Sequence, residues 1–228
     1  MSLAAFKDLC LDVVDRGAPL RFWTAVLGGQ VEVRDDAVAR ITDRRLHSLW
    51  FNTVAEPKVV KNRVHLDLVA PSVEPLLELG ATPHDDQGEF VVLLDPAGNE
   101  LCVFPAHDNG AADVGPGIAR PLALCVDSSA PVEAARWWQG VFGGRIGDGP
   151  DGRPRWLYDA AGLGDLVMKF VPVGDARVVK NRCHWDVTTE DLAALVAAGA
   201  EVIRPPDDDI GWTVLVDPQG NEFCAFGP

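Results

Sequence analysis

Apolar and polar residues alternate most regularly around residue 65, where Val64, Leu66 and Leu68 interleave with Arg63, His65 and Asp67. A period of two predicts a strand over 63–70 with one apolar face and one face carrying a cation, an imidazole and a carboxylate. Such a polar face does not pack on an apolar helix, so it must meet a ligand, an ion or other polar side chains. Upstream, residues 8–14 read as a strand. Leu20, Trp23, Val26 and Leu27 then recur at helical spacing, predicting a helix over 18–27 that Gly28 and Gly29 terminate. Short strands follow at 31–34, 38–42 and 46–54. Beyond the central strand come a helix over 72–79, closed by Gly80, and two strands around the turn Asp95-Pro96-Ala97-Gly98-Asn99, the last over 101–104. The order strand, helix, strands thus runs twice before residue 105.

The pattern then starts again. Val59-Val60-Lys61-Asn62-Arg63 recurs as Val178-Val179-Lys180-Asn181-Arg182, and the His-x-Asp of His65 and Asp67 returns as His184 and Asp186, 119 residues later (184 − 65). Cys10 and Asp12 match Cys125 and Asp127, and Phe22-Trp23 matches Trp137-Trp138. The turn at Asp95 matches Asp217-Pro218-Gln219-Gly220-Asn221, and Glu100, Cys102 and Phe104 match Glu222, Cys224 and Phe226. Thr188, with Asp191 three residues on, is the predicted cap of the last helix, which Gly199 ends. The matched motifs lie 115 to 122 residues apart, as small loop insertions in one copy would produce. An internal duplication follows. The implied organisation is an α+β fold with one domain over 1–105, a Pro- and Gly-rich linker over 106–119 and a second domain over 120–228.

Charge narrows the partners. Thirty-four acidic against twenty basic residues give a net charge of −14, which repels nucleic acid and anionic membrane surfaces. No run of eighteen apolar residues appears, and the N-terminus lacks a basic-then-apolar signal. The five cysteines are odd in number, form no Cys-x-x-Cys pair and sit in apolar runs, which points to a reducing cytoplasm rather than a disulfide framework. A monomer or homodimer is expected.

If the polar faces within each half line one concavity, the first holds Arg63, His65, Asp67, Glu100 and Cys102, with Trp50 at its rim. The second then holds Arg182, His184, Asp186, Glu222 and Cys224. Three chemistries are open to such a set. Arginine and glutamate on one face can neutralise each other, giving the expected pairs Arg63 with Glu100 or Asp67 and Arg182 with Glu222 or Asp186. A histidine with two carboxylates can hold a hard divalent cation. A Cys–His pair can act as nucleophile and base, although a strand thiol among apolar neighbours has a raised pKa.

Taken together, Phe22-Trp23-x-x-x-Leu27-Gly28, Lys61 to Asp67, Leu79-Gly80-Ala81 and Asp95 to Cys102 resemble the vicinal oxygen chelate superfamily, and more narrowly its glyoxalase-like branch. That superfamily includes glyoxalase I, bleomycin-resistance proteins and extradiol dioxygenases. The resemblance spans nearly the whole chain outside the linker. It implies tandem glyoxalase-like domains, each of two βαβββ modules forming an eight-stranded cup. It also implies metal ligands at three places in the metal-dependent members. Here these fall near Asp8 or Ala123, on His65 and His184, and on Cys102 and Cys224, where the metal enzymes carry Glu. The expectation is therefore small-molecule binding without a metal or other cofactor. The alternatives are a lyase, isomerase or dioxygenase with one divalent ion at Asp8, His65 and Glu100, and a scaffold whose cups are filled by their own side chains.

Overall fold

The structure, a computed structural model, describes residues 2–34, 38–43, 46–106, 114–175 and 177–227. Four βαβββ modules follow one another along the chain. The first is β1 (Ala5–Val13), α1 (Gly17–Leu27), β2 (Gln30–Val33), β3 (Val38–Asp43) and β4 (His47–Thr53). The second is β5 (Val64–Ala70), α2 (Glu74–Glu78), β6 (Thr82–Asp86), β7 (Val91–Leu94) and β8 (Glu100–Pro105). The third is β9 (Arg120–Ser128), α3 (Pro131–Phe142), β10 (Arg145–Asp148), β11 (Pro154–Tyr158) and β12 (Val167–Pro172). The fourth is β13 (Cys183–Thr188), α4 (Leu192–Ala197), β14 (Glu201–Arg204), β15 (Thr213–Val216) and β16 (Glu222–Phe226). The predicted strands and helices are present, with boundaries shifted by a few residues. One cap differs: Asp191, not Thr188, caps α4 by accepting from the Ala194 amide (3.0 Å), while Thr188 still belongs to β13.

The modules assemble into two eight-stranded sheets, ordered β14-β15-β16-β13-β1-β4-β3-β2 and β10-β11-β12-β9-β5-β8-β7-β6. Within a module the first and last strands are parallel neighbours, as in β1–β4 and β5–β8. Modules join through their first strands, antiparallel, with Cys10 opposite His184 in one sheet and His65 opposite Cys125 in the other. Two open cups of two modules each result, as expected, but the partners differ from the expectation that each half closes its own. Modules one and four form the first cup; modules two and three form the second. Each half gives one module to each cup.

The apolar faces of both sheets turn toward the helices and toward each other. Leu9, Leu11, Leu49 and Phe51 of the first sheet join Val64, Leu66 and Leu68 of the second in a shared core with Phe22, Trp23, Trp138 and Phe142. The two modules of a half meet through a helix and a turn rather than through a sheet. Trp23 donates its indole N–H to Asp95 (2.9 Å), and Trp138 does the same to Asp217 (3.0 Å). Asp95 also accepts from the amides of Ala97 and Asn99 (both 2.8 Å), so one buried carboxylate builds the turn and anchors the helix of the neighbouring module. Of the predicted linker, 107–113 lie outside the described residues. Its C-terminal end is docked, with the Ile118 and Ala119 amides donating to the Val26 carbonyl. Gly28, at φ +67°, and Gly117 permit this approach, since a Cβ on Gly28 would lie 2.3 Å from the Gly117 nitrogen.

Because each first strand finds its antiparallel partner in the other half, residues 1–105 produced alone would expose the edges of β1 and β5. We expect that fragment to be unfolded or to dimerise by pairing β1 with β5 of a second copy, which analytical ultracentrifugation with circular dichroism would distinguish from a folded monomer.

Candidate functional site

The alternation that buries Leu9 and Leu11 puts Asp8, Cys10 and Asp12 of β1 on the polar face of the first cup. Strand pairing sets Trp50 and His184 beside Cys10, Asp186 beside Asp8, and Cys224 beside Asp186. One ligand atom each from Cys10, His184 and Asp186 lie within 4.8 Å of one another. An irregularity between Phe6 and Asp8 breaks the alternation, so Lys7 joins the polar face, pairs with Asp8 and sits 4.5 Å from the centre of the Phe226 ring. Trp212 stacks on Phe226 (5.2 Å), and the Arg40 guanidinium lies 5.2 Å from the Trp50 ring.

The second cup repeats this plan with one exchange. His65, Asp67 and Cys102 cluster as their counterparts do, with 3.5 Å from Cys102 Sγ to His65 Nε2 and 3.5 Å from His65 Nε2 to Asp67 Oδ1. Lys169 occupies the place that Trp50 holds in the first cup, beside the first-strand cysteine, and Trp156 occupies that of Arg40. Ring and cation have traded strands. The Lys169 ammonium donates to Asp67 Oδ2 (2.8 Å) and lies 5.2 Å from the Phe104 ring and 5.1 Å from the Trp156 ring. Phe90 stacks on Phe104 (4.8 Å).

The exchange sends two equivalent carboxyls in opposite directions. Burial alone would raise Asp67, but the hydrogen bond from His65 and the Lys169 charge outweigh it and hold the carboxyl below its ordinary value. Burial pushes Asp186 up to about 7, with Lys7 opposing and Asp8 adding to the rise. Burial also lowers His184 and raises all five thiols, Cys102 to about 12. Neither Cys102 nor Cys224 is thus a poised nucleophile.

Several expected residues are placed elsewhere. Arg63 does not pair with Glu100 or Asp67: β5 begins after it, and its guanidinium reaches out to the Asp175 carboxylate (3.0 Å). Arg182 does not pair with Glu222 or Asp186, but donates to the carbonyls of Glu56 (2.6 Å) and Asp12 (3.1 Å). Glu100 and Glu222 turn away from the cup floors to hold the incoming loops. Glu100 takes Lys58 (2.8 Å) and the Asn62 amide (3.0 Å); Glu222 takes Arg177 and the Asn181 amide (3.2 Å). The residues not anticipated from sequence are Lys7, Lys169, Trp156, Cys10 and Cys125. A lone lysine between the buried Met168 and Phe170 was the available signal for Lys169.

A divalent ion at Asp8, His65 and Glu100 is ruled out by topology, since Asp8 lies in one sheet and the other two in the second. At His65, Asp67 and Cys102 the Lys169 ammonium already supplies the positive charge, so that set does not suit a cation. Cys10, His184 and Asp186 offer enough donors for an open site. Yet burial disfavours both charged anions, and His184 Nδ1 is buried without the acceptor that normally orients a ligating imidazole.

A glyoxalase-like domain model matches residues 8–104 and 123–226. The chain belongs to the glyoxalase-like family. Its fold is similar to that of glyoxalase I from Zea mays, with a TM-score of 0.67 at 14% identity over 97% of this chain and 92% of that one. It is also similar to a putative dioxygenase from Bacillus subtilis subsp. subtilis str. 168 (TM-score 0.58, 16% identity, 99% and 86% covered). A third neighbour is the cppA protein from Streptococcus pneumoniae TIGR4 (TM-score 0.54, 10% identity, 98% and 99% covered). At these identities the likeness establishes the fold alone. No curated protein sequence matches the chain.

The opposed carboxyls give a pH test. A carboxyl raised in the folded state contributes stability that is complete below its ordinary pKa of 3.8 and is lost as pH rises through about 7. Asp186→Asn should therefore be more stable than wild type above pH 7, by up to about 4 kcal/mol, with the gap closing toward pH 4. Asp67 has the opposite sign, contributing above its ordinary pKa and losing that contribution in acid. Asp67→Asn, which strands the Lys169 ammonium, should cost about 3 kcal/mol at pH 7 in urea unfolding. For the buried thiols we expect less than one equivalent to react promptly with a disulfide reagent in the native protein, against five in denaturant.

Proposed function

We propose that this glyoxalase-like protein binds a small molecule in one or both cups without a metal ion. The observation that carries this reading is the lysine ammonium in each cup, set against an aromatic ring of the last strand and ion-paired to a floor carboxylate. A fixed cation beside stacked rings suits a planar ligand with an electron-rich edge, the rings taking its face and the ammonium its oxygen. The histidines serve as hydrogen-bond partners: His65 through Nε2 toward Cys102 and Asp67, His184 from a neutral ring. Arg63 and Arg182 belong to the rim loops and Trp50 to the aromatic wall.

A second reading rests on Cys10, His184 and Asp186, the three donors of the first cup, which would make that cup a divalent-metal site of a lyase, isomerase or dioxygenase. In both readings we take 1–105 and 120–228 as the repeat units, 106–119 as their connection and the reducing cytoplasm as the setting. No helix among the described residues is long and apolar enough to cross a membrane.

Two measurements decide between the readings. Elemental analysis of protein purified without chelator should give far less than one equivalent of zinc, iron, nickel or manganese per chain; a full equivalent lost with His184→Ala would favour the enzyme. In parallel, thermal unfolding against a panel of planar aromatic acids and antibiotics should find a stabilising ligand. Saturation at 100 times Kd is worth about 2.7 kcal/mol, and the effect should vanish in Lys169→Met or Lys7→Met, according to which cup is used.

A further inference from the structure

Beside the cups, sharing Asp12 with the end of the first, a cleft of about 340 Å³ lies where the two copies of the Val-Val-Lys-Asn-Arg stretch face each other. The loops that build it are matched residue for residue, Glu56 with Asp175 and Arg63 with Arg182, each pair 119 apart. Val59, Val60, Val178 and Val179 line it with 73%, 40%, 74% and 41% of their surface exposed, although strand-forming valines are normally buried.

Most of the cations around these valines are compensated. Lys61 pairs with Asp127, Lys180 with Asp12 and Arg177 with Glu222. Arg63 donates through Nη2 to both the carbonyl (2.8 Å) and the carboxylate (3.0 Å) of Asp175. The duplication breaks at Arg182. Its Nη1 reaches the Glu56 carbonyl, as Arg63 reaches that of Asp175, but among the described residues no carboxylate comes within ion-pairing distance. A guanidinium has five N–H donors, and the structure spends only Nε and Nη1 of Arg182, both on backbone oxygens. An uncompensated cation beside four exposed valines is locally complementary to a small acid with a hydrocarbon body, against the overall negative charge of the chain.

We propose that this cleft is a second binding site, distinct from the cups, for a short aliphatic carboxylate, with its carboxylate on Arg182 and its chain across the valines. Arg63, already neutralised by Asp175, forms the opposite wall, so the site takes one acid group rather than two.

Isothermal titration of the intact protein with hexanoate tests this. Saturable one-to-one binding is expected, with a Kd on the order of 1 mM or tighter. Hexanol should bind at least about tenfold more weakly, as should hexanoate to Arg182→Met, since each loses a charge-assisted pair. Arg182 also ties the rim loops to β1, so Val59→Ser and Val178→Ser, at exposed positions, provide variants that keep the fold and should each weaken hexanoate. Asp186→Asn, in the first cup, should leave its binding unchanged. Absence of saturable binding, equal affinity for hexanol, retention of affinity in both serine variants, or displacement of hexanoate by equimolar inorganic phosphate would each overturn the proposal. Loss of hexanoate binding in Asp186→Asn would place the ligand in the first cup and overturn it as well.

Discussion

The antiparallel pairing of first strands, β1 with β13 and β5 with β9, is the constraint on which the remaining structure rests. A module has its own last strand hydrogen-bonded to one edge of its first strand and leaves the other edge unpaired. An unpaired backbone edge beside a core is costly, so the first strand must find another of its kind. Here each finds it in the other half of the chain. That choice sets Cys10 beside His184 and Cys125 beside His65, and so fixes the composition of both cups. It also brings the two rim loops face to face, because each runs straight into a paired first strand.

The same plan yields two unlike sites. The lysine of the second cup stands where a tryptophan stands in the first, and the ring opposite it replaces an arginine. Cation and ring remain neighbours in both, at 5.1 and 5.2 Å, so the aromatic wall survives the exchange. The electrostatics do not. Lys169 neutralises Asp67 directly, whereas Asp186 shares its surroundings with Asp8 and receives only partial compensation from Lys7. The duplicated chain therefore offers one cup with a fixed internal ion pair and one with a carboxyl that burial pushes up to about 7. Two buried turn carboxylates, Asp95 and Asp217, each join the two modules of one half by binding a tryptophan of the neighbouring module, and both halves keep this bond.

Much of this was legible in the chain itself. Period-two alternation placed His65 and Asp67 on one face and Val64, Leu66 and Leu68 on the other, because side-chain direction in a strand is a local property of the backbone. The repeated stretch exposed the duplication, and the paired glycines after Leu27 marked a helix end because φ near +67° is strained for other residues. Cys102 joined His65, and Cys224 joined Asp186, since each pair lies on neighbouring strands of one module.

What the sequence could not contain was the partner of each module. Strand pairing across more than a hundred residues depends on which edges meet after the helices are packed, and no local pattern records it. Hence Cys10 with His184, and Lys169 with Asp67, emerged only in three dimensions. For the same reason Arg63 and Arg182, assigned to the polar face by alternation, left it: each lies one residue before its strand, where the backbone no longer dictates the side chain's direction and the opposing loop supplies a nearer acceptor. Alternation along a strand is set by bonds between neighbours in sequence. The company that strand keeps is set by bonds between its edge and a strand from the far end of the chain.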